Sequence, residues 1–567
     1  MAVVTEAELS PPRLATHVPT AGTVAPFRWA DLVDLGTRRT TLLYWGGVAL
    51  VVAAYFSTKL LPCVDYPQHI ALSDIARRLA IPGSPEHAEY ELNLFTYNGL
   101  FHLIVAALSF WLPVELVGRL VIAASLVGLA SAVVALVRLL RRPPAHAALF
   151  TPILFSFSLG WGFVNYVLAT AIAAWALVFV ARGALRPSFG AAILVGILGL
   201  ACAFAHVLAM LIVCLVGAGL ALELAWRTTP PSTPRGARLA RAVVRGTFAA
   251  LPLVLGCVYC IAVYERQYDW DRNMYRDPTL EGSAPPLWQK VVFFSAFASD
   301  LFGDATDQVV VWVTLAVMAW SGLRALKGSP SPPSDEGEPP AIVAPFVLTT
   351  LAYFSTPMVL VGTHLIFPRL GQWTMFGAVL ATPKFPVKLE ARARNYILRL
   401  GLIAGANAVA HCLLFNWETR DASALIDELP SGRAATAVIW DPGTRAFRNG
   451  TLTHLAGYYA ARKHGKWAFA FARYLSVPVR FKPNSQPPWP THGWEFDAEQ
   501  YSPRCLYARA FPLVLLRAPD ELAGNASDEA TLRVLVFKRD AERAHLLAHH
   551  GRFWAFDTSD IPGDGTL

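Results

Sequence analysis

Asp65 stands where acid–base chemistry at a membrane surface is feasible. It lies in Leu61-Pro-Cys-Val-Asp65-Tyr66-Pro67-Gln68-His69, shortly after an uncharged run that begins at Thr41. At the centre of a bilayer a carboxylate costs roughly 2.5–3.5 kcal/mol on insertion scales. Just past a span the cost is far smaller, and the group meets both water and lipid headgroups. Such an acid can serve as general base to an attacking hydroxyl. His69, four residues on, shares a helical face with it, and Tyr66 lies beside it. Pro67 suits the first turn of a helix, so a plain helix cap is the competing reading of Asp65.

Four further groups place polar side chains between apolar runs. Trp161-Gly-Phe-Val-Asn165-Tyr166 breaks two of them; an aromatic belt accounts for the rings but not for Asn165. His206 interrupts a 36-residue uncharged stretch, 187–222, too long for one crossing at about 1.5 Å per residue. It therefore falls near a bend, as a packed, hydrogen-bonded histidine or as a ligand group. His364 and Arg369 bracket a short turn in Gly-Thr-His364-Leu-Ile-Phe-Pro-Arg369. The planar fork of an arginine suits a lipid phosphate, and snorkelling to headgroups explains it equally well. Tyr264-Glu265-Arg-Gln-Tyr268-Asp269-Trp270-Asp271 is acidic and aromatic, as are both sugar-binding surfaces and plain solvated loops.

The elements that must position these groups are membrane helices. The chain has 567 residues, 54% hydrophobic and 16% charged, where a soluble protein carries nearer a quarter charged. A disordered chain, a disulfide scaffold and a purely soluble enzyme are excluded. Apolar runs of roughly the 20 residues that a spanning helix needs fall at 41–58, 115–137, 147–164, 166–181, two within 189–226, 246–264, 308–326, 342–361, a short one at 372–383, and 397–416. They predict about eleven crossings. The run 98–113 is short, and if it crossed it would throw the Arg138/Arg141/Arg142 loop to the wrong side.

Charge orients the bundle. With residues 1–39 in the cytoplasm, the loops 138–146, 182–188, 227–245 and 384–399 fall inside and hold 15 basic residues against one acid. The outer loops 59–97, 265–307 and 362–371 hold 8 basic and 13 acidic residues, the asymmetry that the positive-inside rule requires. The net charge of +8 therefore serves topology, and no nucleic-acid partner is expected. The tail, 417–567, is nearly neutral and falls outside. Its apolar alternation predicts strands at 436–440, 474–481, 513–517 and 532–538, with helices at 422–429, 452–464 and 540–549, a small α/β domain. Residues 327–341 read as a Pro/Ser/Glu-rich linker. Of seven cysteines, Cys257 and Cys260 form a CxxC by spacing, but inside an apolar run and without partners for a metal. Domain boundaries are thus expected at 1–39, 40–416 and 417–567.

Several of these motifs together resemble the GT-C superfamily of membrane glycosyltransferases, which includes protein mannosyltransferases, aminoarabinose transferases and oligosaccharyltransferases. The likeness rests on Val-Asp65-Tyr66-Pro67-Gln-His69 (D-x-P-x-H), Gly162-Phe-Val-Asn165-Tyr166, Ala203-Phe-Ala-His206 and Phe367-Pro-Arg369-Leu. In the tail it rests on Thr453-His454-Leu-Ala-Gly-Tyr458-Tyr459 and Gly551-Arg552-Phe-Trp554-Ala-Phe. The resemblance implies a multi-pass inner-membrane enzyme of a bacterium, with a periplasmic α/β domain and about 11 spans. It implies sugar transfer from a polyprenyl-phosphate donor to a glycan, lipid or protein hydroxyl, with Asp65 as base and His69 beside it. Arg369, His364 and His206 would then face the donor phosphate. Tyr66, Asn165, Tyr166, Glu265, Tyr268 and Asp269 would line the substrates. Many members carry two adjacent acids in the first outer loop; here Asp74 follows nine residues after Asp65. A divalent cation, Mg or Mn, is compatible with that pattern, and no other cofactor is implied. Two rival classes are a transporter or flippase of a lipid-linked saccharide and a non-catalytic envelope assembly protein. The scarcity of charge at helix centres and the absence of a sequence repeat count against transport.

Overall fold

The computed structural model describes residues 33–274, 282–299, 301–327, 341–360, 363–383, 387–474, 476–487, 493–522, 524 and 528–564. The N-terminal segment 1–32 and most of the expected linker, 328–340, lie outside the described residues.

Helix α1 (Arg38–Phe56) leads to the Asp65 segment, and two short helices follow, α2 (Tyr66–Leu79) and α3 (Leu100–Leu108). α4 (Val114–Leu139) returns, and after a broken stretch come α5 (Val164–Leu185), α6 (Phe189–Ala205) and α7 (Val207–Thr228). α8 (Arg235–Ala250) runs on into α9 (Val254–Met274). Next come α10 (Thr306–Lys327), α11 (Ala344–Ser355), α12 (Leu370–Ala381) and the 42-residue α13 (Val387–Glu428).

Among the described residues, seven helices are long and apolar enough to cross a bilayer: α1, α4, α5, α7, the α8–α9 pair, α10 and α13. The protein is a multi-pass membrane protein. Of the other expected crossings, α6, α11 and α12 are shorter apolar helices. The span expected over 147–164 is not a continuous helix. It forms 3-10 turns over Pro144–Ile153, with Pro152 inside them, then one turn at Phe157–Gly160. Proline lacks the N–H that an α-helix needs and its ring clashes with the preceding turn. The run 98–113 yields only the nine residues of α3. Helix α13 continues through 416 to Glu428, so span and tail are joined by one rod. α1 and α13 approach at small residues: a Cβ on Gly47 would sit 3.2 Å from the Gly401 carbonyl, the close backbone packing that membrane helices favour.

The basic helix ends gather at one end of this bundle. Arg142, past α4, donates to the Thr382 carbonyl past α12, and Arg245 on α8 donates to Ala184 and Leu185 at the end of α5. The C-terminal domain covers the other end. Its five-stranded sheet has the order β3-β2-β5-β7-β6, built from β2 (Ala434–Ile439), β3 (Lys466–Trp467), β5 (Leu513–Arg517), β6 (His545–His550) and β7 (Phe553–Asp557). β2 is parallel to β3 and β5; β7 is antiparallel to β5 and β6. A separate antiparallel pair joins β1 (Tyr90–Leu92), in the first loop, to β4 (Val479–Phe481), in the tail.

Two tail expectations exchange places. Residues 532–538, expected as a strand, lie mostly in the helix α15 (Glu529–Phe537), which follows α14 (Leu455–Lys463) in the tail. Leu532 and Val536 are buried four apart, helical spacing, and Glu529 sits in the first turn. Residues 540–549, expected as a helix, end in β6, because Gly551 at φ +54° turns the chain so that β6 pairs with the buried β7.

Candidate active site

Asp65 occupies the N-cap position of α2, yet its side chain makes no capping hydrogen bond. The carboxylate is thus free for other partners, and the capping reading fails. Its backbone is held from behind. The Val64 and Asp65 N–H groups donate to the carbonyls of Gly160 and Trp161 at 3.1 and 3.0 Å. Gly162, at φ +77°, lies so close that a Cβ there would sit 2.6 Å from the Asp65 nitrogen. The Trp161-Gly-Phe motif therefore works as the seat of Asp65.

From the front comes the tail. Gly457 on α14 packs against Pro67, where a Cβ would meet the Pro67 carbonyl carbon at 2.8 Å. The Tyr458 hydroxyl accepts from the Leu61 N–H at 2.7 Å. This docking brings His454 to Asp65. The His454 Nε2 lies 3.2 Å from Asp65 Oδ1, and its Nδ1 lies 2.8 Å from Glu495 Oε1. Both carboxylates accept, so both ring nitrogens carry protons. Burial pushes the His454 pKa down, but the Glu495 charge and the Asp65 hydrogen bond outweigh it and bring the pKa up to about 10. Burial raises the pKa of Glu495, opposed by His454. His454 is 4% exposed, Asp65 16% and Glu495 13%. Gln68 closes the floor, its Oε1 accepting from Trp467 Nε1 at 2.6 Å and from the Phe471 N–H at 3.2 Å. Two carboxylates around one imidazolium leave a net negative charge beside a surface that Asp65 partly exposes.

A buried cation, Arg369, sits on the same Trp161–Tyr166 segment. It precedes α12 in a 3-10 turn, is 6% exposed, and stacks its guanidinium 3.7 Å over the Phe163 ring. One terminal nitrogen donates to the His364 carbonyl at 3.1 Å; the other lies 3.2 Å from His206 Nε2. Tyr166 is buried and donates its hydroxyl to the Arg369 carbonyl at 2.8 Å, so it positions the arginine. Burial lowers the Arg369 pKa to about 10, with Tyr166 and the Asp65 carboxylate favouring the charged form. Asp65 and Arg369 thus act on one another electrostatically, each seated by the same Trp161–Tyr166 segment. His206 caps α7, its Nδ1 accepting from the Leu208 N–H at 3.1 Å.

The remaining sequence candidates fall elsewhere. His69 turns away from Asp65: its Nδ1 lies 3.0 Å from His102 Nε2, and His102 Nδ1 lies 2.9 Å from the Asn98 carbonyl. The carbonyl can only accept, so His102 Nδ1 bears the proton and His69 Nδ1–H donates to His102. Burial holds His69 well below its ordinary pKa and His102 at about 4, so the pair is neutral. Tyr66 is fully buried, its hydroxyl donated to the Glu115 carbonyl at 2.8 Å. Asn165 is buried with no partner for its Oδ1. His364 is exposed, as is Glu265, which lies on α9 where the sequence suggested a loop. The side chains of Tyr268 and Asp269 lie outside the described residues. Glu495 was not among the candidates, and nothing in Gly-Trp-Glu495-Phe marks it. His454 stood in a noted motif without a role.

Among the described residues no three His, Cys, Asp or Glu side chains group to hold a metal ion. In the Asp65 cluster both nitrogens of His454 face carboxylates, so its imidazole is not free to act as a metal ligand there. No family model matches the chain, and no curated protein matches it. Among solved structures it is similar to ArnT from Cupriavidus metallidurans in the apo state, at 13% identity and a TM-score of 0.45, covering 93% of this chain and all of that one. It is also similar to the Archaeoglobus fulgidus oligosaccharyltransferase. With a tethered acceptor peptide, that enzyme matches at 9% identity and a TM-score of 0.41 over 93% of this chain and 74% of the other. In complex with Zn and sulfate the identity is 11% and the TM-score 0.37.

Proposed function

We propose that this protein is a membrane glycosyltransferase that moves a sugar from a polyprenyl-phosphate donor to a hydroxyl of an extracytoplasmic glycan, lipid or protein. The observation that carries this reading is the non-capping, partly exposed Asp65 carboxylate, oriented by the His454 imidazolium and electrostatically coupled to Arg369. The basic helix ends lie at the opposite end of the bundle, and under the positive-inside rule this supports a site on the periplasmic side.

With one carboxylate oxygen held by His454, the other receives the proton of the acceptor hydroxyl as that oxygen attacks the anomeric carbon. The bond from that carbon to the phosphate oxygen breaks with inversion, and the electron pair leaves on the polyprenyl phosphate. Arg369 stabilises this growing charge from a buried, preorganised position. The membrane holds the donor at fixed depth and so lowers the entropy of encounter.

The test is release of polyprenyl phosphate from short-chain polyprenyl-phosphate sugars by the full chain in lipid nanodiscs. Asp65→Asn is expected to lose on the order of 100-fold or more in rate, with insertion and folding intact. Normal release by both Asp65→Asn and Arg369→Ala proteins overturns the assignment.

A further inference from the structure

A second site lies apart from Asp65 and Arg369 and shares no lining residue with them. A cleft of about 640 Å³ opens between the end of α1, the turn joining α3 to α4, the last turns of α2 and the end of α14. One wall is apolar, with Phe56, Leu112, Val114 and Leu116; the other is charged. Two of its arginines are neutralised: Arg77 by Asp74 at 2.8 Å and Arg462 by Glu115 at 2.5 Å.

Arg119 is left over. It is 7% exposed and donates to the main-chain carbonyls of Tyr55, Thr58 and Lys59 at 2.8, 2.5 and 2.5 Å. No carboxylate lies within ion-pair distance of it among the described residues. Those carbonyls take three of its five N–H groups, and the end of a helix carries only about half a negative charge. A buried cation without a full counter-charge is costly, and an anion in the cleft would complete it. Ser109 points to the same ligand: it lines the cleft, is 9% exposed, and its Oγ has no hydrogen-bond partner. Arg77 also has a terminal nitrogen left beyond the two it spends on Asp74. Outside lies an apolar lip, with Leu108 44%, Phe110 48%, Trp111 78% and Leu112 43% exposed. A charged floor beside an apolar rim at a helix end matches an amphiphile that sits in the membrane interface, and the volume is that of a small-ligand site.

We infer that this cleft binds the phosphate head of an anionic glycerophospholipid, with the head at Arg119, Ser109 and Arg77 and the acyl chains leaving over the Leu108–Leu112 lip. The inference stands whether or not the protein transfers sugar.

Native mass spectrometry of the full chain in detergent tests it, with dioleoyl-phosphatidylglycerol, dioleoyl-phosphatidylcholine and soluble glycerol 3-phosphate as probes. The wild-type chain is expected to retain phosphatidylglycerol roughly tenfold more tightly than phosphatidylcholine, about 1.4 kcal/mol, and to bind glycerol 3-phosphate poorly. Because Arg119 also clamps the end of α1, the informative variants are Arg77→Gln and the cleft-filling Ser109→Phe. Each is expected to lower phosphatidylglycerol retention towards the phosphatidylcholine level. Equal retention of the two lipids, or unchanged retention by both variants, overturns the site. Glycerol 3-phosphate binding as tightly as the lipid would assign the cleft to a soluble phosphate and overturn the lipid reading.

Discussion

The single residue most worth perturbing is His454, because its charge state sets what Asp65 can do. Its folded pKa of about 10 lies above the ordinary 6.5. The stability it contributes is therefore fully present below about pH 6.5 and is lost as pH climbs through about 10. The melting temperature of the purified protein should fall between about pH 6.5 and 10, and His454→Gln should flatten that fall. Parallel curves for the two proteins would mean that the bridge to Asp65 and Glu495 contributes nothing. In the transfer assay the same variant should lower kcat by roughly ten- to hundredfold with little change in KM, since it touches the base and not the donor. Arg369→Lys tests the other pole. Lysine keeps the charge but not the flat stack on Phe163 or the double contact to His364 and His206. A severalfold rise in the donor KM is expected, and wild-type kinetics would show that a bare charge suffices. At this scale half of the proposed site was legible in the sequence. Asp65 and Arg369 stand out because a lone ion next to apolar runs is expensive. Glu495 does not, because an acid in a polar tail has no such cost until folding buries it.

Elements explain why two short motifs, nearly 400 residues apart, meet. α2 offers Pro67 and α14 offers Gly457, and they approach this closely because Gly457 has no side chain in the way. Gly457→Ala should push α14 off α2 and separate His454 from Asp65. Gly162 is a harsher case, for two independent reasons. Its φ of +77° costs a non-glycine residue about 1–2 kcal/mol, and a Cβ there would collide with main chain that cannot move aside. Gly83, at φ +78° with nothing within 4 Å, provides the control that has strain alone. Thermal melts should rank the losses as Gly162→Ala well above Gly83→Ala, and only the first should also abolish transfer. Equal losses would show that the contact behind Asp65 is soft. Long apolar helices were legible because bilayer thickness fixes their length, whereas 147–164 misled because hydropathy counts prolines as tolerable while the helix ladder does not. The swap of 532–538 with 540–549 has a similar origin: valine and leucine read as strand locally, and the buried face that α15 shares with the sheet decides otherwise.

For the molecule as a whole, everything turns on which side of the membrane the capped end faces. The charge pattern argues for the outside, because moving the arginine-rich ends of α4, α5 and α8 across the bilayer is what insertion resists. The domain covering Asp65 is tied to the bundle by α13, by the β1–β4 pair and by the α2–α14 contact, so it must share the side of Asp65. Two exposed positions report on opposite ends: Asp497 in the tail and Arg241 on α8. In a chain with its seven cysteines replaced, Asp497→Cys should react with a membrane-impermeant maleimide added to intact spheroplasts. Arg241→Cys should react only after the membrane is opened. The reverse pattern would place Asp65 in the cytosol, where no extracytoplasmic acceptor reaches it, and the transfer reaction proposed for this site would fail however well its carboxylate is positioned. Labelling of both positions from outside would show instead that α8 and α9 do not carry the chain across as one span, which would break the link between the charge pattern and the side on which the site works.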